Sequence, residues 1–252
     1  VFARQSPPAR LATLRDKLGF LAETGLVDHV FVYRFTRAFS ALPAEDFIQR
    51  ILCDTLHTRY LLIGDDFRFG AKRTGDFAQL AGCPAFETQA MSTISLLGER
   101  ISSSRIRHAL AEGDFAHAQA LLGRSYQISG HVMHGKKLGR TLGYPTANVH
   151  LPHRRPALNG VFVVEADTPF GTLGGVASLG LNPTVESDDR YKLEVHLFDF
   201  NGNLYGTRMA VRFLAKLRDE QKFDSLAALT AQIAADADAA RHFLSISQKA
   251  LA

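Results

Sequence analysis

The chain has 252 residues, 46% of them hydrophobic, 21% charged and 10% aromatic. These fractions are ordinary for a globular protein and exclude disordered, collagen-like and small disulfide-scaffold classes. The net charge is only +4, from 29 Lys and Arg against 25 Asp and Glu, without the clustered basic face of a nucleic-acid binder.

Pro7-Pro8 precedes Leu11, Leu14, Leu18 and Leu21, whose 3-and-4 spacing predicts a helix that stops at Gly25. His29–Phe35 (HVFVYRF) reads as a strand, Pro43-Ala44-Glu45 opens a helix with Phe47, Ile48, Ile51 and Leu52 on one face, and Tyr60–Ile63 reads as a strand buried on both faces. This alternation predicts an α/β domain. Helices at Ser103–Glu112 and Phe115–Leu122 complete it, and the boundary falls at Gly123. The predicted domains are therefore 1–123 and 124–252, each of ordinary size.

Beyond Gly123 the pattern changes to short strands at Tyr126–His131, Ala147–Leu151, Gly160–Ala166, Gly171–Leu179, Lys192–Phe200 and Met209–Phe213. A hairpin signal stands at Asn201-Gly202-Asn203. Such spacing predicts an antiparallel barrel or sandwich, closed by a helix over Asp224–Lys249 with Leu226, Leu229, Ile233 and Phe243 among its apolar positions. The longest apolar runs fall far short of the ~20 residues a membrane span needs. The basic run His150–Arg155 reads as a solvated loop. Cys53 and Cys83 lie in different segments without C-x-x-C spacing, which suits a reducing cytoplasm better than a disulfide framework.

The densest chemistry is Gly130–Asn148 (GHVMHGKKLGRTLGYPTAN), where Gly130, Gly135, Gly139 and Gly143 surround two His, two Lys and an Arg. Glycines let backbone N–H groups approach phosphate oxygens, and the cations favour the same anion; the bland alternative is a turn-rich loop. Thr146 and Asn148 offer oxygen donors suited to Mg²⁺, although such residues more often cap turns. In Leu193–Phe200 the alternation puts Glu194, His196 and Phe198 on one face and Leu193, Val195 and Leu197 on the other. Glu194 is then either a solvated carboxylate or a general base, and the residues alone favour the former.

Gly64–Gly70 (GDDFRFG) follows a strand, where ligand sites lie in open α/β sheets. Its aromatics could equally plug the sheet end. Ser102-Ser103-Ser104 with Arg105 and Arg107 opens a helix as either plain capping or a phosphate site.

The Gly130–Asn148 pattern, N-P-T at Asn182–Thr184, LEVHLFDF at Leu193–Phe200 and LRDEQKF at 217–223 closely resemble the flavokinase module of bacterial bifunctional riboflavin kinase/FAD synthetases, over about 124–247. The resemblance implies a six-stranded antiparallel Greek-key barrel with a C-terminal helix, carrying Mg-ATP under the glycine-rich loop. It implies ATP contacts at Gly130, His134, Gly135, Lys136, Gly139, Arg140, Gly143, Pro145 and Thr146, and Mg²⁺ at Thr146 and Asn148. Glu194 becomes the base for the ribityl terminal hydroxyl of riboflavin, with Arg218 and Phe223 beside the flavin.

GDDFRFG and ISSSRIR likewise resemble the FMN adenylyltransferase module of that family, a Rossmann-like nucleotidyltransferase fold. By that likeness Asp66, Phe67, Arg68, Phe69, Gly70, Ser102, Ser103, Ser104 and Arg107 hold nucleotide, with Ser104 where the family usually has Thr. The family's G-N-F-D-G-x-H-x-G-H element is absent from the 252 residues. The chain starts Val1-Phe2 without a signal-peptide pattern and is read as N-terminally incomplete, so it is expected to make FMN and stall before FAD. The expected function is FAD biosynthesis from riboflavin, FMN and ATP, small-molecule substrates, in the cytoplasm, with no nucleic acid and no membrane; oligomeric state is left open. The alternative is a flavin-binding carrier or regulator whose first domain is only a scaffold.

Overall fold

The computed structural model describes residues 8–64, 66–135, 138–151, 155–181 and 191–251. By its internal contacts the chain forms two compact units. One joins the residues up to Leu26 to those from Ser102 onward, and the other is Val27–Ile101.

In chain order, helix α1 is Leu14–Thr24, α2 is Arg37–Ser40, and α3 is Ala44–Asp46, which runs on as a π-helix over Phe47–Thr55. Strand β1 (Tyr60–Gly64), helix α4 (Phe77–Ala81) and strands β2 (Glu87–Met91), β3 (Ser95–Leu96) and β4 (Glu99–Arg100) follow. Helices α5 (Ser103–Glu112) and α6 (Phe115–Leu122) lead into the barrel strands β5 (Gln127–Met133), β6 (Ala147–Val149), β7 (Gly160–Thr168), β8 (Gly171–Leu181), β9 (Tyr191–Leu197) and β10 (Arg208–Arg218). Helix α7 (Leu138–Thr141) lies between β5 and β6, and α8 (Leu226–Leu251) closes the chain.

The six expected barrel strands all form, and the sheet closes in the order β10-β5-β6-β9-β8-β7. Strands β7, β8 and β9 are successive neighbours and β10 returns beside β7, which is Greek-key connectivity. Alternation supplies the core, with Phe162, Leu179, Leu193, Val195, Met209, Val211 and Phe213 fully buried. The Asn201-Gly202-Asn203 turn is not a hairpin, because β9 pairs with β6 and β8 while β10 pairs with β5 and β7. The 198–207 connection instead spans two strands that are not neighbours, with Leu204 buried beneath it.

Helix α8 packs on the outside of this sheet. It does so through the small Ala237 and Ala240, with Leu244, against Val163 and Phe198, whereas the expected apolar positions Leu226 and Phe243 are exposed. Small residues allow close approach, and Gly174 permits it on the sheet side: a Cβ there would lie 2.6 Å from Leu244. Helices α5 and α6, which the sequence reading placed in the first domain, belong to the barrel's unit. Phe115 of α6 meets Phe162 edge-on at 5.8 Å between centroids.

Helix α1 also belongs to this unit. Thr13 and Asp16 form its capping box and Gly25, at φ 64°, ends it. Its leucine stripe is not the buried face, since Leu14, Leu18 and Leu21 are exposed. The buried residue is Asp16, which accepts from Ser129 Oγ and, at 3.1 Å, from Arg208 Nη2.

The Val27–Ile101 unit is sparser. Strands β1 and β2 pair in parallel, and the apolar core gathers Ala44, Ile48, Leu52, Phe69, Leu80 and Phe86. Both Cys53 and Cys83 pack against that core. Strand β1, expected to be buried on both faces, is half-buried on one, through Leu61 and Ile63, and exposed on the other at Tyr60 and Leu62. The strand expected at His29–Phe35 is not formed. Composition alone does not make a strand, which needs a neighbouring strand for its backbone groups. Tyr33 and Phe35 turn to Phe39 instead, at 5.6 and 5.8 Å.

Candidate functional site: two cavities sharing one threonine

The register of the barrel aligns five residues in one row. Asn148 of β6 pairs with Glu194 of β9, Glu194 with Ser178 of β8, Ser178 with Val161 of β7, and Val161 with Arg218 of β10. At about 4.8 Å per strand step, Glu194 stands next to Asn148 and roughly 14 Å from Arg218.

The row runs along the outer face of the sheet, under α8. A cavity of about 510 Å³ opens there, walled by Val161, Ser178, Glu194 and His196 from the strands and by Leu229, Ile233 and Asp236 from the helix. Arg218, Glu220 and Phe223 line its end. A second cavity of about 400 Å³ is lined by Arg140, Pro145, Ala147, Val195 and the 200–205 segment. Thr146 lines both.

Glycines make room at this junction. A side chain at Gly135 would collide with the Asn148 amide, and one at Gly139 would collide with the Tyr144 carbonyl oxygen and press on Thr146 Oγ1 at 3.4 Å. The His196 ring lies with Nδ1 2.9 Å from the Pro145 carbonyl oxygen. A carbonyl only accepts, so Nδ1 carries the proton.

Arg218 is fixed rather than free. Its Nε and Nη2 donate to the Asp236 carboxylate at 2.8–3.1 Å, its Nη1 donates to the Asp219 carbonyl at 3.0 Å, and its guanidinium lies 5.7 Å from the Phe223 ring. Asp236 is buried and also accepts from Gln232 at 2.9 Å. Such a two-toothed pair sets orientation as well as charge. Glu220 sits so close over Gly180 that any side chain there would collide with its carboxyl group. Burial pushes the Glu220 carboxyl above the usual range, while a hydrogen bond with Ser178 and the charge of Arg218 pull the other way.

The structure thus brings Glu194, Arg218 and Phe223 to one cavity, Arg140 and Pro145 to the other, Gly139 to the first, and Thr146 to both. The His134 ring lies tilted against Tyr205 of the smaller cavity, at 3.9 Å between centroids. Gly143 is a left-handed turn residue at φ 85°. Gly130 lines neither cavity; it is buried in β5 beneath the His150 carbonyl. Lys136 and the Asn182–Thr184 motif lie outside the described residues.

The other predicted residues divide between the units. In Val27–Ile101, Asp66 pairs with Arg100 at 3.2 Å and Arg68 with Asp76 at 3.1 Å. Phe67 stacks at 5.7 Å on Phe69, which is core, and Gly70 turns at φ 71° against Ala44. In the barrel's unit, Ser102 caps α5 by accepting from Arg105 N–H, Ser103 and Ser104 are exposed, and Arg107 Nε donates to the Ala9 carbonyl at 2.6 Å.

Sequence reasoning missed the 200–205 wall, Glu220, His196 and Asp236. His196 was legible as the same-face neighbour of Glu194, and Glu220 sat in a motif already singled out. Asp236 gave no signal, since only the fold brings it to Arg218.

The family model described as riboflavin kinase matches residues 122–244, and that described as FAD synthetase matches residues 1–105. The bifunctional riboflavin kinase/FMN adenylyltransferase of Pseudomonas fluorescens is 46% identical, with 95% of this chain covering 78% of that protein. The Escherichia coli protein of the same description is also 46% identical, over 99% of this chain and 80% of its own length. A crystal structure described as a macrolide-efflux protein from Streptococcus pneumoniae superposes with a TM-score of 0.78 at 31% identity, covering 92% of this chain and 76% of that one. Among the described residues no helix is long and apolar enough to cross a membrane. The fold and the sequence relatives define a two-module transferase class, a Rossmann-like nucleotidyltransferase with a six-stranded barrel. The chain belongs to the bifunctional riboflavin kinase/FMN adenylyltransferase family.

Proposed function

We propose that this chain works in FAD biosynthesis, with its barrel transferring the γ-phosphoryl group of ATP to the terminal ribityl hydroxyl of riboflavin. The observation that carries the reading is the row from Asn148 through Glu194 to Arg218, with Thr146 shared by two cavities. The larger, partly apolar cavity suits the flavin, its ring toward Arg218 and Phe223. The smaller one suits ATP, with His134, Gly135 and Arg140 around its phosphates and Gly139 facing them from the larger cavity. The two substrates then meet at Thr146.

Phosphoryl transfer needs positioning and charge neutralisation more than covalent help. Glu194 takes the proton of the attacking hydroxyl while its oxygen bonds to phosphorus and ADP leaves. His196, oriented by Pro145, flanks that carboxylate. Magnesium fits the donors present, the Thr146 hydroxyl and the Asn148 amide oxygen, because Mg²⁺ shared with phosphates needs few protein oxygens. Thr146 and Asn148 would hold it, where it supplies positive charge to the phosphates. For FMN adenylylation, Asp66, Phe67, Arg68, Phe69 and Gly70 are the nucleotide contacts proposed for the Val27–Ile101 unit, and Ser102, Ser103, Ser104 and Arg107 those proposed for the barrel's unit. The enzyme works in the cytoplasm on small molecules, without nucleic acid.

The test is Glu194→Gln, which keeps size but removes the proton acceptor. FMN formation should fall about 10²–10⁴-fold with unchanged folding. Retention of more than half the rate would return Glu194 to the solvated reading.

A further inference from the structure

Arg241 of α8 touches neither cavity, yet it grips the segment that walls the smaller one. Its Nη1 and Nη2 donate to the two carboxylate oxygens of Asp199 at 2.9 and 3.0 Å, and its guanidinium lies over the Phe198 ring at 4.2 Å. These hydrogen bonds hold the Asp199 carboxyl below the usual range. Asp199 takes φ 56°, in the left-handed region that few side chains adopt without support. The next six residues, 200–205, all line the smaller cavity. The direction of that wall is therefore set at Asp199, whose side chain Arg241 holds.

An exposed ion pair contributes little to stability, and this one is exposed on both sides. A planar fork on a carboxylate, stacked on a ring, is strong in direction instead. The same helix reaches the larger cavity through Ile233, Asp236 and Ala237. Asp236 and Arg241 are five residues apart, or about 7.5 Å along the helix axis. One rigid helix therefore bears on both cavities, directly on the larger and through Arg241 on the smaller.

We propose that Arg241 is a positioning residue for the nucleotide: by clamping Asp199 it sets the 200–205 wall against which ATP is held. The inference rests on reading the smaller cavity as the ATP site. It is tested in the full chain with Arg241→Ala, Arg241→Lys and Asp199→Asn. FMN formation is followed with ATP and riboflavin varied in turn, beside thermal melting and riboflavin fluorescence quenching. Arg241→Ala should raise KM for ATP about tenfold, the mark of lost ground-state binding, while KM for riboflavin stays within about twofold and Tm is unchanged. Lysine lacks the fork and should restore little. Asp199→Asn should reproduce the ATP shift, and the double variant should be no worse than either single one. An unchanged KM for ATP, or equal rises for both substrates with a lowered Tm, would overturn the inference while leaving the kinase reading intact. A folded wild-type chain that makes no FMN would instead remove the reading of the cavities, and this inference with it.

Discussion

The two units use similar apolar material to different ends. In the barrel every strand has two partners, and its inward positions are almost fully removed from water. In Val27–Ile101 one two-stranded parallel sheet serves a smaller core, and Val30, Phe31, Val32, Phe35, Leu62, Ile94 and Leu97 stay exposed. Local β-pattern is therefore enough where closure supplies the partners and insufficient where it does not. His29–Phe35 has the composition of a strand and forms none.

This difference should show most in the core. Phe162→Ala in the barrel should cost about 3–5 kcal/mol, read as a lowered denaturation midpoint. Val32→Thr in the exposed run should stay within about ±0.5 kcal/mol. Equal effects would mean that the barrel core is less closed than its burial indicates.

The next effect is acid stability. Burial alone would raise the Asp16 carboxyl, but hydrogen bonds from Ser129 and Thr13 and the charge of Arg208 outweigh it and lower the value in the folded chain. A depressed carboxyl contributes stability that is fully present above the unfolded value, about 4, and lost as pH falls through the folded one. Asp16→Asn should therefore destabilise the chain at neutral pH and flatten its loss of stability below about pH 4. An unaltered acid limb in denaturant titrations would show that α1 is not anchored through this carboxylate.

Smaller still is the effect expected inside the site. Asn148→Ala should weaken use of Mg-ATP more than riboflavin binding, because its proposed place is on the phosphate side. Fluorescence quenching and ATP-dependent turnover on one sample separate the two. Lost riboflavin affinity with normal use of Mg-ATP would put Asn148 on the wrong substrate.

Legibility follows the same contrast. The six strands and the face shared by Glu194 and His196 could be read from alternation, because period-2 burial is a local property. The register that sets Glu194 between Asn148 and Ser178 could not, since it depends on strand order. The turn at Asn201-Gly202-Asn203 misled for that reason: its residues signal a turn, but only the closed ring shows that β9 and β10 are not neighbours. The polar links Asp16–Arg208, Arg218–Asp236 and Asp199–Arg241 join residues 192, 18 and 42 positions apart. No local pattern encodes such pairs. The Asp16–Arg208 link ties α1 to the barrel's unit, and Phe115 against Phe162 ties α6 to it, although the composition changes at Gly123.

The central claim is that the two cavities hold the two substrates and that Glu194 faces their meeting point. A crystal structure of the chain with riboflavin and a non-hydrolysable ATP analogue tests it most directly. The account predicts the flavin ring at the Arg218–Phe223 end, the γ-phosphate beside Thr146, and the terminal ribityl hydroxyl within about 2.6–3.2 Å of the Glu194 carboxylate. A flavin ring in the smaller cavity, or a ribityl end remote from Glu194, would contradict it.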